Sequence, residues 1–275
     1  MIAHAGLVDH VALLAVVLAA GATYAWAWEA AARPLRSLAS WGVGSIAVLV
    51  ALSPPVESVA ARTFTGHMLQ HLLLISIAAP ALAWATPVTT LRRGLRARGR
   101  RVRATDVERR VGRWWRDVGP IVAGGAFVGT LVITHLTGVY DLALRSTAVH
   151  HAEHAAYLGS AVLLWSVVGG RGRVDGVGRV AAVFGVIAGS ALLGVVLISA
   201  GAPLVDTYAA RLGAGPALDD QRIAASLMWV GGMATTLPLA IVALWRWAAA
   251  EERIARRSEQ LADRRATEPV GPDVR

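Results

Sequence analysis

Cysteine is absent from the 275 residues, and so is lysine. Without cysteine there is no disulfide, no thiolate ligand and no cysteine nucleophile, whichever compartment a loop faces. A soft-metal site would have to use histidine and methionine, of which there are eight and four. Without lysine all 27 basic residues are arginine, a bias that implies no mechanism by itself. Charge is also scarce: 16% of residues are charged and 55% are apolar, and the mean hydropathy is +0.53. That composition excludes an ordinary soluble domain and indicates an integral membrane protein. The net charge of +9 does not point to nucleic acid, because the arginines sit in short connections between apolar runs, where they act as topology signals.

At about 20 apolar residues per span, seven transmembrane helices are expected, near residues 7–28, 37–53, 66–86, 119–136, 148–168, 180–201 and 222–247. The fold class is therefore all-α, a polytopic helix bundle over residues 1–250, followed by a charged tail, 251–275, whose Gly-Pro end is expected to be disordered. Threading the chain through a bilayer puts 23 arginines on one face and only Arg62, Arg145, Arg211 and Arg222 on the other. Positive loops remain inside, so the amino terminus is expected outside and the tail in the cytoplasm. Nine of the ten tryptophans gather near the inner interface, as a headgroup belt would; Trp229 is the exception. The first span has no basic residue before it, lacks the n-region of a signal peptide, and is expected to be retained. The arginine-rich stretch Arg96 to Arg116 reads as a solvated inner connection beside anionic lipid.

In this topology all eight histidines fall near the outer surface. His4 and His10 precede or open the first span, and His67 and His71 open the third. His135 closes the fourth, and His150, His151 and His154 open the fifth. His67/His71 and His150/His154 are i, i+4 pairs, each projecting from one helical face. Two such faces are expected to form a four-nitrogen metal site. Glu153 is placed to orient a ring nitrogen, and His135, Met68 and Met228 to complete or replace ligands. Taken singly, His4, His10 and His135 read as interfacial hydrogen-bonding residues, and Met228 as a packing residue. His151 is turned about 100° away from His150, toward headgroups or loop. Gly125/Gly129 and Gly185/Gly189 read as packing positions, while Pro80 and Pro238 are expected to kink their helices.

Several segments together resemble the multi-spanning CtaG cytochrome c oxidase assembly factors. They are His67-Met68-Leu69-Gln70-His71 with the apolar run to Pro80, Ala85-Thr86-Pro87, Gly138-Val139-Tyr140-Asp141, His150 with Glu153-His154, and Asp220-Gln221 ahead of Met228-Trp229. The resemblance runs from about residue 40 to 250, and its motif residues fall on His67, His71, His150, Glu153, His154, Asp220 and Gln221; His4 and His10 inherit nothing from it. It implies a multi-pass protein of the bacterial plasma membrane that matures an aa-type oxidase by handling copper, with oxidase subunits and membrane lipids as partners and no nucleic acid. The unrelated single-span, cysteine-bearing copper chaperone of the same name is a different protein. Two alternatives stay open. One is a b-type cytochrome with His71 and His154 as axial haem ligands; the other is a metal-free assembly scaffold. No nucleophile and base pair, phosphate loop or paired inward carboxylates are visible, so an enzyme is not expected.

Overall fold

The computed structural model describes residues 7–100, 106–169 and 176–267, and every regular element among them is helical. The apolar runs become α1 (Leu7–Ala30), α2 (Leu35–Ala51), α4 (Phe64–Leu73) with α5 (Ala79–Ala85), α7 (Asp106–Leu136), α9 (Thr147–Gly169), α10 (Gly176–Ser199) and α12 (Ala214–Thr267). Shorter helices join them: α3 (Pro54–Ala60), α6 (Pro87–Ala97), α8 (Val139–Arg145) and α11 (Asp206–Leu212). Among the described residues, five stretches are long and apolar enough to cross a membrane: Val8–Ala30, Phe64–Ala97, Asp117–Leu136, Gly176–Ser199 and Ala214–Leu261. Counting α2 and α3 as one span bent by 53° makes six. The remaining expected span, α9, has the length, but three histidines and Glu153 dilute its apolar content.

Proline sets the local breaks. Pro54 and Pro55 open α3, where a missing N–H costs nothing, and so mark the bend after α2. Pro80 produces a π-turn over Leu74–Ala78 between α4 and α5 in place of a sharp kink. In that wider register Pro80 would have bonded the carbonyl of Ile75; the Trp165 indole N–H donates to that oxygen instead, at 2.9 Å. α12 continues through Pro238. It also extends past the expected end of the seventh span through Thr267, so residues 251–267 are helical, while 268–275 lie outside the described residues. Likewise α7 begins at Asp106, which makes the second half of the arginine-rich connection helix.

α9 packs against α7 and α5, and α12 against α10 and α4; a core that includes Phe127, Leu131, Tyr157, Trp165 and Val186 runs between them. α1 is peripheral, touching α2 and α6. Of the four G-x-x-x-G glycines only Gly189 is closely approached: a Cβ there would come within 2.8 Å of Val128, whereas Gly125, Gly129 and Gly185 face open space.

Candidate metal centre

The ends of the helices are tied before any ligand is aimed. Asp220, on α12, accepts the backbone N–H groups of Phe64 (2.6 Å) and Thr65 (3.2 Å) and the Thr65 hydroxyl, and so caps the amino terminus of α4 from a distant part of the chain. Thr63 accepts from the Gly66 N–H. A Cβ on Gly66 would meet the Val59 carbonyl oxygen at 2.7 Å, so only glycine lets α3 lie this close beside His67. The Gln70 amide donates to the Ala51 carbonyl at the end of α2. Gln221 accepts from the Leu204 N–H and donates to the Leu197 carbonyl, fixing α12 to the end of α10. Asp141 does for α11 what Asp220 does for α4, accepting from the N–H groups of Asp206 and Thr207.

α4 and α9, held in this way, bring their i, i+4 pairs together. His67, His71, His150, Glu153 and His154 are 0%, 1%, 7%, 4% and 4% exposed, so the cluster is almost wholly removed from solvent. His67 Nε2 lies 3.1 Å from His71 Nε2 and 3.6 Å from Glu153 Oε2. Ring centroids are 5.4 Å apart for His67 and His150, 5.5 Å for His71 and His154, and 4.3 Å for His150 and His154. Donor atoms of His67, His150 and His154, and separately of His67, His71 and Glu153, fall within 4.8 Å of one another. Nitrogens bound about 2 Å from a tetrahedral ion lie about 3.3 Å apart, close to the His67–His71 separation. Among the described residues, neither Glu153 oxygen has a hydrogen-bond partner, nor has His154 Nε2 or His71 Nδ1. Buried polar atoms are normally satisfied, so a carboxylate and imidazoles left open within one cluster fit a cation.

The other sequence-derived candidates fall around this centre. Met68 is fully buried but turns to α7, its sulfur 3.3 Å from His135 Nε2. His135 donates from Nδ1 to the Leu131 carbonyl at 2.9 Å, within the hydrogen-bonding role read for it. Met228 packs between two apolar clusters. Asp220 and Gln221 act as the helix clamps described above. His151 is exposed, as expected for a residue turned away from His150. His10 pairs with Glu57, at 3.2 Å. His4 lies outside the described residues.

Sequence reasoning passed over the aromatic wall. Tyr140 lies against His67 (4.8 Å between centroids) and Tyr157 over His71 (4.0 Å), while the Tyr157 hydroxyl meets Thr134 at 2.5 Å. Tyr208 donates to the Ala60 carbonyl at 2.6 Å, 3.5 Å from His67 Nδ1. On the short α11, burial holds this phenol well above its usual range. The usable signal was scarcity, since these are three of only four tyrosines in the chain.

A polytopic all-α membrane protein with a buried histidine and carboxylate cluster shared by two helices is the class that this architecture defines. The chain matches the family model of cytochrome c oxidase caa3 assembly factors over residues 5–250, and it belongs to that family. The match begins well before residue 40, so it takes in α1 and His10. The chain is also similar to an uncharacterized protein of Mycobacterium leprae (strain TN), 26% identical over 252 residues, covering 84% of this chain and 37% of the relative. It thus spans little more than a third of that relative's length. No solved structure matches.

Proposed function

We propose that the cluster of His67, His71, His150, His154 and Glu153 holds a copper ion as cargo, and that the protein supplies it to a cytochrome c oxidase subunit in the bacterial plasma membrane. The observation that carries this reading is that buried donors of α4 and α9 form two triads sharing His67, several of their polar atoms lacking a hydrogen-bond partner among the described residues. Copper is chosen over other ions on two grounds. Imidazole donors suit it, and the family is named for assembling an enzyme that needs it. On the arginine asymmetry, we read the centre as lying near the outer face, with the amino terminus outside and the tail in the cytoplasm. Within the cluster Glu153 balances the ion's charge and orients His67, while the aromatic wall keeps water out.

A haem between His71 and His154 is less well supported. Their rings stand 5.5 Å apart and 84° to one another, and His67 and Tyr157 pack against His71 where a porphyrin would have to pass. The test is elemental analysis of the chain purified in mild detergent after copper exposure, beside a His71→Ala, His154→Ala variant, with oxidase maturation followed in cells carrying each. Stoichiometric copper and mature oxidase are expected for the wild type alone. Equal copper in both samples contradicts the site, and a Soret band lost on substitution replaces copper with haem. Intact maturation after replacement of all four histidines supports the scaffold.

A further inference from the structure

A cavity of about 540 Å³ opens between α1, α2 and α9, apart from the buried centre but sharing one wall residue with it. Most of its lining is apolar, including Trp41 and Ala155, whereas His10, Glu57, His151 and His154 make part of it polar. Glu57 is 6% exposed, its Oε2 is 3.2 Å from His10 Nε2, and His151 lines the same cavity. His154 is the shared residue. It lines this cavity, belongs with His67 and His150 to the metal-competent group, and its Nε2 has no hydrogen-bond partner. A carboxylate paired with an imidazole, in a largely apolar slot that Asp9 and His151 also line, attracts a cation more strongly than the same groups in water.

We infer that His10 and Glu57, in a cavity that His151 also lines, form a transit site, where a copper ion is held on its way to His154 and the buried centre. The inference rests on the reading of that centre as a metal site. The step is ligand exchange with no change in oxidation state. The ion takes the His10 imidazole and the Glu57 carboxylate as ligands, any proton it displaces from them goes to solvent, and these ligands are then exchanged for His154 and its neighbours. The role separates two properties that a single site would combine: capacity belongs to the buried centre and loading rate to the cavity.

The test mixes copper(II) sulfate with the purified full chain in detergent, follows loading by stopped-flow absorbance, and measures the endpoint by elemental analysis after gel filtration. A His10→Ala, Glu57→Gln variant is expected to reach the wild-type endpoint about tenfold more slowly. Ala155→Phe, which fills the cavity and keeps every polar group, is expected to slow loading as well. Wild-type rates in both variants overturn the transit site. So does a lost endpoint in the His10/Glu57 variant, because those residues would then belong to the centre itself. Equal endpoints in the wild type and in His71→Ala, His154→Ala would instead refute the buried centre on which the transit site depends.

Discussion

Asp220 and Glu153 are both motif carboxylates on long helices that flank α4, yet their surroundings are opposite. Asp220 receives two backbone N–H groups and a hydroxyl, and its charge sits at the amino terminus of α4. Glu153 is more deeply buried, and among the described residues no hydrogen-bond donor reaches either oxygen; His67 Nε2 stands 3.6 Å from Oε2. A fully bonded carboxylate is a clamp, whereas a buried one left open is placed to hold a cation. The same contrast separates Gln221, bonded at both ends of its amide, from His154, whose Nε2 is open.

This contrast predicts that clamp and cluster substitutions damage different properties. The largest effect is expected from His71→Ala with His154→Ala, which should abolish stoichiometric copper while the metal-free protein still elutes as a folded species on gel filtration. Next, Asp220→Ala should lower stability by about 2 kcal/mol, because it uncaps α4 and strands backbone donors. Thermal unfolding in detergent checks this, and the contrast weakens if Asp220→Ala keeps full stability but loses copper. Glu153→Gln should weaken copper binding about tenfold, read by competition with a chelator, while the metal-free form becomes no less stable, since the replaced carboxylate makes no hydrogen bond that would be lost. The smallest effect is expected for Tyr208→Phe, about 1 kcal/mol from the lost bond to the Ala60 carbonyl, with copper retained.

The features legible in the sequence are those set by periodicity. Apolar runs located the long helices, and i, i+4 spacing put His67/His71 and His150/His154 on the faces that now meet. Helix ends were less legible. The extensions at Asp106 and Thr267 are rich in arginine, glutamate and alanine, good helix formers that hydropathy reads as loop or tail. The carbonyl that the π-turn leaves open before Pro80 is taken up by the Trp165 indole reaching across from α9, and the His10–Glu57 pair joins α1 to α3. Contacts of this kind depend on which helices become neighbours, and no local pattern encodes that. For the same reason Asp220 and Gln221, which the motif placed with the ligands, serve as clamps.

The central claim is that imidazoles from α4 and α9 meet on one ion, and X-ray absorption of the copper-loaded protein tests it most directly. A first shell of nitrogen and oxygen with strong imidazole scattering, lost in His71→Ala, His154→Ala, is the predicted result. A shell dominated by sulfur, or a spectrum unchanged by those substitutions, would contradict it.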